Sequence, residues 1–124
     1  KTYEALVWGQ PEDTGEVDLP LIVDWPNRPL QMVDHARGKK AHTKWEVTAR
    51  EASHARARLM PTTGRSHQLR VHMLAIGHVI LGDRFYASGD AMTACDRLCL
   101  HAEMLEIHHP SDGRRVRFAA DCPF

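Results

Sequence analysis

The chain has 124 residues, a length that suits one domain able to bury a hydrophobic core without disulfides or metal. Sixteen Lys and Arg residues balance sixteen Asp and Glu residues, so no overall basic character indicates a nucleic-acid partner, although a local basic patch can act at zero net charge. No apolar run approaches the roughly 20 residues that a membrane span needs, and three cysteines without Cys-x-x-Cys spacing favour reduced thiols in the cytoplasm.

The chain begins at Lys1, without an initiator methionine, and enters a strand-like run at once, which indicates a piece of a longer protein. Tyr3–Trp8 alternates apolar and polar residues and predicts a strand that stops at the turn-rich segment Gly9–Gly15. Leu19–Val23 predicts a second short strand. Two prolines and an Asn make Asp24–Pro29 a loop rather than a central strand.

A β-hairpin is predicted in the middle of the chain, after a turn at His35–Lys40. His42–Arg50 alternates with period two, as a half-buried strand does, and Ala55–Met60 repeats the alternation. Arg56 and Arg58 then point outward, and Pro61 ends the second strand. The two runs are close enough in sequence to pair antiparallel.

One clear helix is predicted over Ser66–Ile76. It has an apolar stripe at three- and four-residue spacing, formed by Leu69, Met73 and Ile76. Gly77 lies where a glycine commonly ends a helix. Three hydroxyl residues could supply the N-cap oxygen: Thr62, Thr63 or Ser66.

The remaining segments predict further strands and turns. Val79–Tyr86 predicts a short strand and a turn, Ser88–Arg97 a loop or short helix, and Leu98–His109 one long strand or two. Pro110–Arg114 predicts a turn and Arg115–Ala120 a closing strand. The fold class is therefore α+β, a mixed but mainly antiparallel sheet with one packed helix, and residues 1–124 form one domain.

The start of the helix carries an unusual concentration of cationic and hydrogen-bonding side chains. Backbone N–H groups at a helix N-terminus attract anions, and Arg65, His67 and Arg70 offer groups suited to phosphate or carboxylate. A solvated polar surface is the competing explanation. A metal site is not indicated, because His67 and His72 are five residues apart and no Cys/His spacing matches a zinc ligand set.

Several segments together resemble the RluA family of pseudouridine synthases. The segment MPTTGRSHQLRVHMLAIGHVILGDRFY, Met60–Tyr86, resembles the signature block of that family. Tyr3–Gly9 is similar to its Tyr-x-Ala-x-Val-x-Gly strand, and Arg97–Pro110 to its Leu-His-Ala…His-Pro segment. Asp18–Pro29 is similar, more narrowly, to members with dual specificity for 23S rRNA and tRNA.

The resemblance implies an isomerase that cleaves the glycosidic bond of a uridine in structured RNA, turns the base and rejoins it through C5. It implies a cytoplasmic enzyme of RNA modification that acts on 23S rRNA, on the tRNA anticodon stem-loop, or on both. No cofactor, no metal, no membrane and no obligate protein partner are implied. The essential aspartate of this family lies in a His-Arg-Leu-Asp motif, which is absent from residues 1–124. The chain therefore resembles the C-terminal part of the catalytic domain and is expected to be inactive alone.

Two catalytic residues follow from the resemblance. Tyr3 matches the tyrosine that lies against the target base, and Arg70 matches the arginine that pairs with the upstream aspartate. The resemblance and the local charge suggest substrate-binding residues: Leu100, Arg65, His67, Arg28 and Arg84. Further candidate phosphate contacts are Lys39, Lys40, Arg114 and Arg115. The alternative function is a non-catalytic RNA-binding module that uses the same surface.

Overall fold

The computed structural model of the chain describes residues 1–108, 115–119 and 121–124. Its α-helices are α1 (Gln68–Ala75) and α2 (Gly89–Thr93), and a short 3-10 helix covers Trp25–Asn27. The strands within the described residues are β1 (Tyr3–Trp8), β2 (Thr14–Asp18), β3 (Leu21–Val23), β4 (Gln31–Val33), β5 (His42–Arg50), β6 (His54–Pro61), β7 (Leu100–Ala102), β8 (Met104–His108) and β9 (Arg115–Ala119).

A five-stranded antiparallel sheet forms the centre of the fold, in the order β2-β5-β6-β1-β7. The predicted hairpin is confirmed, because β5 and β6 pair with Trp45 opposite Leu59. The inward residues of β6 are fully buried, since β1 pairs on its other side and α1 covers the face. These inward residues are Ala55, Ala57 and Leu59. The predicted α+β class with a mainly antiparallel sheet is confirmed.

Helix α1 packs its predicted stripe onto this sheet. Leu69 and Met73 are buried in the main core cluster, and Ile76 packs against it. The helix ends as predicted at Gly77, whose φ of 85° is left-handed. The Gly77 N–H donates to the carbonyl of Leu74 at 3.0 Å and the next N–H to Met73 at 2.9 Å, so two of the last carbonyls are satisfied.

The predicted side-chain cap at the start of α1 is wrong. The N-cap residue is His67, which adopts a left-handed conformation (φ 55°, ψ 19°) and makes no capping hydrogen bond. Gln68 instead organises the start of the helix from within. Its side-chain oxygen accepts a hydrogen bond from the Thr63 hydroxyl at 2.7 Å and one from the Arg65 N–H at 3.0 Å. This tertiary arrangement replaces a local cap.

Two strands were not predicted. β2 begins in the predicted turn segment and extends beyond it. The sequence did not reveal this edge strand because only Val17 is buried in it and no apolar alternation marks it. Gly15 is needed there, since a Cβ would lie 2.2 Å from the Trp45 ring. β4 pairs with β3 in a separate two-stranded sheet. The loop predicted at Asp24–Pro29 is confirmed, with the 3-10 helix inside it.

The short strand predicted within Val79–Tyr86 is wrong, because that segment contains only an isolated bridge from Ile80 to Val7. The later predictions that fall on described residues are confirmed. α2 is the short helix of Ser88–Arg97, and Leu98–His109 contains two strands, β7 and β8. β8 pairs antiparallel with β9. The predicted turn Pro110–Arg114, with the candidate cation Arg114, lies outside the described residues. No helix among the described residues is long and apolar enough to cross a membrane.

Candidate active site

A groove of about 630 Å³ lies where three distant segments meet: the start of β1, the loop into α1, and the approach to β7. Five of the seven residues predicted for the site line it: Tyr3, Arg65, His67, Arg70 and Leu100. Its volume falls in the range of small-molecule pockets. The fold therefore brings most of the predicted site together at one place.

The apolar wall of the groove is built by the central sheet. β1 lies between β6 and β7, so Tyr3 is opposite Leu59 on one side and Ala102 on the other. Tyr3, Leu98 and Leu100 are half-buried and pack against the main core. An aromatic ring and two leucines thus offer a partly desolvated apolar surface, which suits contact with a planar ring.

Arg70 supplies the fixed cation of the groove. Its Nε and Nη2 atoms donate to the two carboxylate oxygens of Asp83 at 2.9 and 2.7 Å. Asp83 is fully buried, and the Arg70 side chain is 17% exposed. The hydrogen bonds to Asp83 raise the pKa of Arg70 further above its usual value. Arg70 therefore already has a carboxylate partner within the chain, which the sequence analysis did not identify.

The turn after Asp83 wraps around the same ion pair. One oxygen of Asp83 also accepts the backbone N–H groups of Phe85 and Tyr86, at 3.0 and 3.2 Å. The rings of these two residues lie 5.1 and 5.4 Å from the guanidinium carbon of Arg70. Stacked or edge contacts with aromatic rings hold a guanidinium without removing its remaining donors.

His67 joins this cluster through the hydroxyl of Tyr86. That oxygen accepts the Gln31 N–H at 2.9 Å and shares a hydrogen bond of 2.7 Å with Nδ1 of His67. Burial, and then the charge of Arg70, lowers the pKa of His67 below its ordinary value. The neutral form of His67 is therefore favoured at pH 7.

A second buried network anchors α1 from behind the groove. Nε2 of His72 donates to the Leu19 carbonyl at 2.8 Å, so its Nδ1 accepts from the Thr43 hydroxyl, also at 2.8 Å. The Thr43 oxygen in turn accepts from Gln68 at 3.0 Å. Burial lowers the pKa of His72. This histidine is therefore a neutral structural residue, and it links the helix to two other segments.

The three other predicted arginines differ in their surroundings. Arg65 lines the groove and donates from Nε to the Lys40 carbonyl at 2.9 Å. Arg28 donates to the carbonyl of Trp25 at 2.8 Å and lies 4.3 Å from the centroid of that ring. Arg84 is exposed in the turn after Asp83. Neither Arg28 nor Arg84 is among the described residues that line the groove.

Sequence reasoning missed the residues that hold the site together: Asp83, Phe85, Tyr86 and Gln68. A glycine followed by Asp in the segment LGDRFY is a turn signal that could have drawn attention to Asp83. Its pairing with Arg70 depends on the turn after α1, which no local pattern reveals. Among the described residues, no group of three or more His, Cys, Asp or Glu side chains could hold a metal ion.

Comparison with known proteins identifies consistent relatives. A family described as RNA pseudouridylate synthase matches residues 1–75. Over 126 aligned residues the chain is 58% identical to the dual-specificity RNA pseudouridine synthase RluA of Escherichia coli K12. It is 55% identical to RluA of Haemophilus influenzae. Each alignment covers 100% of this chain but 58% of the relative, so the chain spans little more than half of these proteins.

Solved structures agree on the fold. The chain superposes on human RNA pseudouridylate synthase domain containing 1 with a TM-score of 0.83 and 27% identity, over 100% of this chain and 55% of that one. Human RNA pseudouridylate synthase domain containing 4 gives a TM-score of 0.74 at 23% identity, over 99% and 57% of the two chains.

Proposed function

Because this chain belongs to the RNA pseudouridylate synthase family, we propose that the protein containing it isomerises a uridine of structured RNA to pseudouridine. The chain is the C-terminal part of the catalytic domain, and the essential aspartate lies in the preceding part. This proposal is supported by the 58% coverage of the relatives' length and by the absence of a His-Arg-Leu-Asp motif in residues 1–124.

The observation that carries the proposal is the meeting of an aromatic ring, an apolar wall and a fixed cation in one groove. Tyr3 and Leu100 come from neighbouring strands, and Arg70 comes from the helix packed beside them. Moving a uridine out of its stack costs a few kcal/mol of stacking and pairing energy. Stacking on an aromatic ring returns about 1–3 kcal/mol per base.

The chemistry assigned to each side chain follows from this geometry. Arg70 keeps the upstream aspartate ionised, since a nearby cation favours a carboxylate. The ring of Tyr3 lies against the uracil, and its hydroxyl assists removal of the C5 proton. The reaction breaks the N1–C1′ bond, forms the C5–C1′ bond, and moves one proton from C5 to N1, so atoms balance without a cofactor. Leu100 packs beneath the base.

The substrates we propose are 23S rRNA and the tRNA anticodon stem-loop, in the cytoplasm. They are supported by similarity to RNA pseudouridine synthases of dual specificity. Arg65, His67, Arg28 and Arg84 provide the contacts to the RNA. Phosphate contacts of this kind fix the register of an RNA without reading its sequence.

Release of tritium from C5-labelled uridine tests the proposal. The full-length protein should release tritium from both RNAs, and each RNA tested separately decides whether the specificity is dual. Binding of either RNA without release would instead support the non-catalytic RNA-binding module. Activity that disappears with EDTA and returns with zinc would contradict the metal-free mechanism.

A further inference from the structure

Asp83 binds only one of the two edges through which the Arg70 guanidinium can donate paired hydrogen bonds. Asp83 occupies the side edge, formed by Nε and Nη2. The end edge, formed by Nη1 and the second hydrogen of Nη2, can still donate two hydrogen bonds to a second carboxylate in the same fork geometry. Arg70 lines the groove, while Asp83 is fully buried behind it.

The orientation of this guanidinium is over-determined. Besides the two hydrogen bonds to Asp83, the guanidinium carbon lies 5.1 and 5.4 Å from the ring centroids of Phe85 and Tyr86. Asp83 is itself held by the two backbone N–H groups of those residues. The Tyr86 hydroxyl is fixed by Gln31 and His67. These contacts fix the plane of the Arg70 guanidinium, whose side chain is 17% exposed and lines the groove.

We propose that Asp83 is a positioning residue for the isomerisation: it orients Arg70 so that the free edge of the guanidinium meets the catalytic carboxylate in the groove. One arginine then bridges two carboxylates, a buried one that fixes its plane and a reacting one that it keeps ionised and aimed. This inference rests on the proposed function. It goes further by naming a residue that acts on the reaction without contacting the RNA.

A purely structural role for Asp83 makes different predictions. If Asp83 only neutralised a buried cation, its loss would lower folding stability and leave turnover of the folded enzyme unchanged. A positioning role predicts a slower chemical step at unchanged RNA affinity, because a displacement of about 1 Å in a catalytic group can cost about 10²-fold in rate. It also predicts that the loss of rate depends on Arg70, so that replacing Asp83 changes the rate little once Arg70 is gone.

The test uses the full-length protein with the substitutions Asp83→Asn and Arg70→Ala, singly and together. Asp83→Asn should slow single-turnover pseudouridine formation by about 10²-fold with an unchanged RNA Kd. In the Arg70→Ala background it should add less than about three-fold. The matched control is Asp96→Asn, an exposed aspartate outside the groove, which should leave the rate unchanged.

Two results would overturn the inference: an Asp83→Asn rate within about three-fold of the parent, or an equal loss with and without Arg70. If Asp83→Asn does not fold, Asp83→Glu decides, because it keeps the charge but moves the carboxylate by one methylene group. A positioning role predicts slower single-turnover pseudouridine formation by Asp83→Glu at an unchanged RNA Kd, and an unchanged rate would refute it. A full-length unsubstituted protein that forms no pseudouridine would contradict the proposed function itself.

Discussion

Replacing Arg70 by Ala should destabilise the protein strongly, apart from any effect on activity. Asp83 is fully buried, and the change removes its two charged donors while leaving the backbone N–H groups of Phe85 and Tyr86. Breaking a buried ion pair by removing one partner typically costs about 3–5 kcal/mol, because the other charge stays buried. At a urea slope of about 1–3 kcal/mol/M, the midpoint should fall by at least about 1 M.

The second substitution Asp83→Asn should recover much of that loss. An Asn oxygen can still accept the two backbone N–H groups, while the buried charge is gone, so the double variant should be more stable than Arg70→Ala alone by about 2 kcal/mol. Urea unfolding of the full-length parent, both single variants and the double variant measures this coupling. A cost below about 1 kcal/mol for Arg70→Ala, or purely additive effects, would refute the reasoning.

Three further predictions follow from the geometry. Tyr3→Phe should bind RNA normally but release the C5 proton about 10²–10⁴-fold more slowly. Tyr3→Leu should also weaken RNA binding. Normal turnover in Tyr3→Phe would remove Tyr3 from the catalytic residues. The pKa of His72 is lowered in the folded state, so the unfolded state binds its proton first and stability should fall as the pH drops below about 6.5. The free energy of unfolding of His72→Gln should depend less steeply on pH between about 7 and 5. An equal slope in the parent and the variant would show that His72 does not cause the pH dependence. Gly82→Ala should destabilise the fold by about 2 kcal/mol or more, since the φ of Gly82 is +74° and a Cβ would lie 1.9 Å from the Arg97 carbonyl oxygen. Gly89 has φ +57° but no atom within 4 Å of an added Cβ, so Gly89→Ala should cost only about 1 kcal/mol. Thermal or urea unfolding of both variants measures the difference.

Elements with a strong local pattern could be predicted from the sequence. The alternation of β5 and β6, and the stripe of Leu69 and Met73 ended by Gly77, all appear in the fold as expected. β2 could not be predicted because an edge strand with one buried residue, Val17, carries no periodic signal. The start of α1 depends on the buried amide of Gln68, which only the tertiary contacts explain.

The site was predictable to a similar extent. Motif resemblance indicated Tyr3, Arg70 and Leu100, and the fold brings them to one groove. It did not indicate that Arg70 is paired within the chain, because Asp83 is 13 positions away and reaches it only through the turn that follows α1. Contacts between segments decide the orientation of a side chain, and no local spacing records them.

The most direct test of this account is nucleoside analysis of an anticodon stem-loop RNA after incubation with two proteins. Digestion and chromatography separate uridine from pseudouridine, which have the same mass. The full-length protein should convert one uridine per RNA, and the 124-residue chain should convert none, since the aspartate motif is absent from it. Pseudouridine formed by the 124-residue chain, or none formed by the full-length protein, would contradict the account.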